Sequence, residues 1–382
     1  MRAEDIHKLC SAELRQAIEA NIGRRPEAIA LDKRVADAAL VATQVKYLQR
    51  AESKLPDYFV GRCIIPALSF EQASSQRVAA VKELEGEALL DLTCGLGVDS
   101  LHFSHSFKRV VSLERNEMLA AVARENFRRM GRDNVEVICS SAEEYLASCH
   151  DDFDWIYADP DRRAEDGKKL VRLEDCSPNI LSLRPHIEQV SGGRLMLKNS
   201  PLFDVDEAFR LFSPARVEVV SLGDECKEVL VSSSDEDTLV ARAVGRGSLE
   251  VRREDVRQQF CTQEFDAQEY SHMLIPDVAL QKSRLVAHAL GDKAHVWSNN
   301  GFAFAQGPYE GGLARCFEIE KVVDYSPKSL RGELKSERVQ ILKRDFAFST
   351  DQIIKQLKIK EGGSRRLAFT TINGRNLVIF LR

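Results

Sequence analysis

Asp91-Leu92-Thr93-Cys94-Gly95-Leu96-Gly97 stands between the apolar run Ala88-Leu89-Leu90 and a helical pattern over 98–106. Strand, glycine turn and helix in that order form a nucleotide-binding crossover. The glycines let backbone approach a ligand closely, and the helix start presents unpaired N–H groups. A dinucleotide fingerprint would read Gly-x-Gly-x-x-Gly with no acid four residues before its first glycine. Here Asp91 holds that place, suited to accept from a ligand ammonium or from the loop's own N–H groups. Thr93, Gly95, Gly97 and Asp99 complete the candidates of this loop.

Outward from the loop, strands and amphipathic segments alternate. Further strands are expected at 109–114, 135–139, 153–158 and 194–198, with helices over 117–130, 142–147 and 178–190. This alternation predicts an α/β fold with a parallel, doubly wound, Rossmann-like sheet. Two adjoining strands, 216–222 and 227–232, joined by a short Gly-Asp-Glu turn, close the region 83–235. Residues 1–82 read as helices interrupted near Pro26 and Pro56. Residues 236–310 form a mixed segment, and 311–382 an α+β region with strands at 338–342, 366–370 and 377–380.

Three strand ends carry chemistry. Glu114 ends the second strand, 23 residues beyond Asp91, where a carboxylate accepts from both hydroxyls of a ribose. Ser141-Ala142-Glu143 follows the third strand, a place for the adenine edge and equally a helix start with a serine cap. Asp159-Pro160-Asp161-Arg162-Arg163 follows the fourth. The proline stiffens that turn, Asp159 is suited to accept a proton or hydrogen bond from an incoming amine, and the arginines suit phosphate or carboxylate.

The series Asp91 to Gly97, Glu114, Ser141-Ala142-Glu143 and Asp159-Pro160 resembles class I S-adenosylmethionine-dependent methyltransferases in order and spacing. It is most similar to a bacterial group with a C-terminal THUMP-like domain, in which a Ser-Pro-x-Ser-Leu-Arg run stands where Ser326-Pro327-Lys328-Ser329-Leu330-Arg331 stands here. The resemblance implies S-adenosylmethionine as cofactor, the closing strand pair as a feature of the fold, and RNA as partner of the tail. It also implies that the segment Ser69 to Ser75 lies against the cofactor's methionine end, with Gln72 and Ser74 as candidates. Amino-directed members carry Asn/Asp/Ser-Pro-Pro and an aromatic; here Asp161 and Arg162 replace the second proline and the aromatic. Cys176 is a weak candidate nucleophile for carbon-5 methylation, because Lys198-Asn199-Ser200-Pro201 after the fifth strand lacks the cysteine such chemistry uses.

Charge and composition bound the rest. From residue 311 onward 15 Lys/Arg face 8 Asp/Glu, a net of +7 in a chain of net −5, so residues 1–310 carry −12. A basic end on an acidic body fits a polyanionic partner. The nine cysteines contain no Cys-x-x-Cys pair, which argues against a zinc or iron–sulfur centre. No apolar run reaches the roughly 20 residues of a membrane span and Met1 to Asp5 shows no secretory start, so a cytoplasmic protein is expected. Methyl transfer to a nucleobase nitrogen of RNA, oriented by Asp159, Pro160, Asp161 and Arg162, is the first reading. Methylation of a protein or small molecule, and a non-catalytic RNA-binding module, are the alternatives.

Overall fold

The computed structural model describes residues 3–161, 173–334 and 337–382. The chain divides into two compact units, one of residues 1–203 with 230–233, the other of 204–229 with 234–382. Arg162 and Arg163 lie outside the described residues.

In the first unit, seven helices among the described residues precede the sheet, from Ala3–Cys10 to Gln76–Ala79. Pro26 and Pro56 each occupy the first turn of a new helix, Pro26–Ala30 and Pro56–Val60. A proline there gives up an N–H that has no helical partner anyway, so each proline opens a new helix after the preceding one has ended, at Asn21 and at Lys54. The longest helix, Ala38–Lys54, buries Val41, Val45, Leu48 and Ala51, three or four residues apart. These join Tyr58, Phe70, Leu101 and Phe127 in one apolar cluster. Two buried amides fasten the layer. Gln44 Oε1 accepts from Ile65 N (3.0 Å), and Asn126 accepts from Ile64 N and donates to Ile64 O (2.7 and 2.9 Å).

The sheet of this unit contains β1 (Gly86–Asp91), β2 (Phe107–Leu113), β3 (Val135–Ile138), β4 (Trp155–Ala158) and β5 (Leu195–Asn199), all parallel. Their order is β3-β2-β1-β4-β5, and residues 230–233 end a strand beside β5. Leu89 and Leu90, at the middle of β1, have no exposed surface. From β1 the chain builds outward through β2 and β3, then returns to place β4 on the other side. The order therefore reverses between β1 and β4, and ligands of open parallel sheets bind beyond the strand ends at such a switch point. Asp91 pairs in register with Ser112 on one side and Tyr157 on the other.

In the second unit, β6 (Ala215–Leu222), the start of β7 (Glu225–Ser233), β8 (Thr238–Ala243) and β9 (Gly247–Arg252) follow the order β7-β6-β8-β9. A second sheet combines β10 (His272–Pro276), β11 (His295–Val296), β12 (Ala303–Ala305), β13 (Ala314–Asp324), β14 (Arg338–Lys343), β15 (Lys360–Glu361), β16 (Arg365–Ile372) and β17 (Arg375–Leu381). Its order is β11-β12-β10-β13-β17-β16-β14-β15. Strands from the expected segment 236–310 thus share one sheet with strands of 311–382. One apolar cluster gathers Phe265, Tyr270, Met273 and Phe304, and another sets Leu330, Ile353 and Leu357 of two helices against Val339, Phe369 and Phe380. Among the described residues no helix is long and apolar enough to cross a membrane.

Candidate active site

The glycine loop is built around Asp91, whose residue surface is only 1% exposed. Its Oδ1 accepts from Thr93 N (2.9 Å), and its Oδ2 accepts from the hydroxyl of Ser100. Of the two partners expected for Asp91, the structure supplies the loop's own N–H. Burial pushes the Asp91 carboxyl up to about 7, against the pull of these two bonds. Gly95 (φ 56°) and Gly97 (φ 88°) take left-handed backbone that disfavours any side chain. A Cβ on Gly97 would also stand 2.7 Å from the Phe127 ring, whereas one on Gly95 would meet nothing nearer than Thr93 O at 4.0 Å. The open face of the loop is therefore at Gly95.

Glu114 lies just past β2 and holds the loop from the other side. Its Oε2 accepts from Gly95 N (3.0 Å) and its Oε1 from Asn116 N (2.8 Å). Burial raises the carboxyl above its ordinary range despite these bonds. Each oxygen keeps a further lone pair for a hydroxyl. A carboxylate fixed beside an open-faced glycine offers acceptors for the ribose hydroxyls of an adenosine ligand, so these residues fit the cofactor implied by the sequence. Ser141 caps the helix Ala142–Ser148 in a reciprocal capping box with Glu144, while Glu143 is exposed in that helix's first turn. Gln72 is exposed at the end of the helix Ala67–Gln72, and Ser74 is half-buried in the following turn.

On the opposite side of the switch point, the backbone N–H of Asp159 donates to Thr93 Oγ1 (2.7 Å). This bond ties the turn after β4 to the glycine loop after β1. Pro160 is buried, and Asp161 exchanges backbone bonds with Ser177 (2.8 and 3.0 Å), which pins the turn's far end. Arg115 donates to Ser177 Oγ (3.1 Å). Cys176, next to this bridge, is buried.

Three residues without a motif complete the site. Lys82, with no exposed surface, sets its Nζ 3.1 Å from Asp99 Oδ1. The Tyr157 hydroxyl donates to Asp99 Oδ2 (2.7 Å), and Lys198 Nζ stands 3.7 Å from the same oxygen. Lys198 also donates to Asp159 Oδ2. Burial works against the Asp99 charge, but Lys82 and Lys198 outweigh it and hold the carboxyl well below its usual range. Asp99 thus faces these lysines as a fixed anion. The N-terminal layer reaches in as well, since the buried Tyr58 hydroxyl donates to Leu96 O (2.8 Å). Sequence carried one faint signal for Lys198, a cation at the end of the otherwise apolar run Leu195-Met196-Leu197.

Known proteins resemble this chain in sequence and in fold. A model of the THUMP domain-like family matches residues 314–382. An uncharacterized S-adenosylmethionine-dependent methyltransferase of Mycobacterium tuberculosis is 25% identical over 338 residues, covering 84% of this chain and 88% of that protein. A tRNA/tmRNA (uracil-C(5))-methyltransferase of Photorhabdus laumondii is 32% identical over 115 residues, 26% of this chain and 31% of its own length. A solved protein of Porphyromonas gingivalis assigned as a methyltransferase shares the fold, with a TM-score of 0.78 at 23% identity over 97% of both chains. In fold and in sequence the chain is thus similar to S-adenosylmethionine-dependent methyltransferases, with a THUMP-like domain matched at residues 314–382.

Proposed function

We propose that the protein methylates RNA at a nucleobase nitrogen, with the acceptor oriented by Asp159 and the turn it opens. The observation that carries this is the bond from Asp159 N to Thr93 Oγ1, which fixes the acceptor turn against the glycine loop across the switch point. When bound, S-adenosylmethionine supplies a methyl group on a positively charged sulfur, to be displaced in line. Alignment then dominates over strong acid–base help. In this reading Glu114 accepts from the ribose hydroxyls, Gly95 and Gly97 give the backbone its close approach, and Ser141 and Glu143 border the adenine side. Gln72 and Ser74 attend the methionine end. Asp159 accepts a hydrogen bond from the acceptor N–H and takes its proton as the new bond forms. Pro160 and Asp161 keep the turn rigid. RNA as substrate is supported by the THUMP-like match, by the +7 excess beyond residue 311, and by relatives that act on RNA.

The test is incubation with labelled S-adenosylmethionine and separate RNA, protein and metabolite pools. Label is expected in RNA and is lost in Asp159→Ala. Label in protein alone would refute the RNA reading. Glu114→Ala is expected to weaken cofactor binding by about ten- to a hundredfold, the worth of a bond to a charged group, as titration calorimetry would show.

A further inference from the structure

Asp159 does not stand alone at the acceptor position. Lys198 is at the end of β5, one strand further out, with a side chain 12% exposed. Its ammonium lies between two carboxylates, Asp159 Oδ2 and Asp99 Oδ2. Asp99 is held in turn by the buried Lys82 and by Tyr157. The chain Lys82, Asp99, Lys198, Asp159 therefore alternates in sign and runs from fully buried to 37% exposed at its last member. A charge-assisted bond of this kind fixes direction as well as distance. It anchors Oδ2 of Asp159, on a side chain that is 37% exposed.

We propose that Lys198 is a positioning residue of the methyl-acceptor site, its ammonium anchored on Asp99 and clamping Asp159 Oδ2 so that Oδ1 meets the acceptor N–H. This rests on the reading of Asp159 as the group that orients the acceptor. Asp99 and Thr93 touch the pair, Lys82 and Tyr157 hold Asp99, and none of these four is exposed.

The experiment compares wild type, Lys198→Met, Asp159→Ala and the double variant. It measures single-turnover methyl transfer at saturating S-adenosylmethionine, using whichever of the RNA, protein or metabolite pools the wild type labels. Loss of aim costs about a hundredfold in rate, so Lys198→Met should slow transfer by about that factor. Affinity for S-adenosylhomocysteine should stay near wild type, while the melting temperature falls with loss of the buried pair. The double variant should be no slower than Asp159→Ala, because Lys198 reaches the acceptor through Asp159. Wild-type rates in Lys198→Met, or losses that multiply in the double variant, would overturn the clamp. If Lys198→Met fails to fold, Lys198→Gln, similar in length and uncharged, carries the same comparison. Label confined to protein or metabolites defeats the RNA reading while leaving this test in force. Label in no pool defeats both.

Discussion

A carboxylate with 1% of its surface exposed must be either neutral or well supplied with donors, and Asp91 sits between these conditions. Its carboxyl is pushed up to about 7 by burial, from 3.8 in an open chain. The folded form thus keeps a proton that the unfolded form has lost, and this group's contribution to stability declines as pH rises from about 4 to about 7. Asp91→Asn keeps an acceptor for Thr93 N but removes the titration. Between pH 4.5 and 7.5 the wild type should lose stability relative to this variant, read as urea midpoints; parallel curves would show that Asp91 is ionised throughout. The two glycines separate in the same loop. Gly97→Ala meets both a left-handed backbone and the Phe127 ring, so it should cost about 2 kcal/mol or more. Gly95→Ala faces only the backbone cost of about 1 kcal/mol, and its main effect should be weaker binding of S-adenosylhomocysteine. Equal melting losses with unchanged binding would place the ligand elsewhere.

Elements of the first unit were largely legible because each motif sits inside a short stretch. The glycine loop, Glu114 and Asp159-Pro160 all stand at strand ends, which alternating apolar runs locate within a residue or two. Pairings between distant segments were not. Nothing near Lys82 in sequence announces Asp99, and the bond from Tyr58 to Leu96 O spans 38 residues. Pro26 and Pro56 read as helix stops because proline excludes the preceding turn, yet the same property suits the first turn of the next helix. The strands of 272–305 escaped notice since two of them are two or three residues long and take their pattern from neighbours across the sheet. The helical layer's hold on the loop is testable. Tyr58→Phe leaves Leu96 O without its buried donor, a loss of about 1–3 kcal/mol. Stability should fall by that amount in urea and cofactor affinity should fall with it; affinity that stays constant would confine Tyr58 to the fold.

For the molecule as a whole, several basic residues beyond residue 311 are paired with acids of the same segment, acids that its net of +7 already counts. Arg365 pairs with Glu337 and Glu333, Arg375 with Asp324, Arg382 with Glu318 and Lys321 with Glu333. Lys355, Lys358 and Lys360, at and beyond the end of the helix Thr350–Leu357, are exposed. Removing 311–382 would be a poor test of RNA docking. β13 pairs with β10 over five residues and supplies part of its apolar cluster, so the truncation would strip a sheet rather than a tail. Changing the three lysines to glutamine leaves the core untouched. If they meet phosphates, each contributes about 0.7–0.9 to the slope of log affinity against log salt. The triple variant should therefore bind bulk RNA more weakly at low salt, with a slope shallower by about 2–3. Such a change, with methyl transfer to a saturating RNA retained, would assign the lysines to docking. An unchanged slope would move the phosphate contacts to another face of the protein.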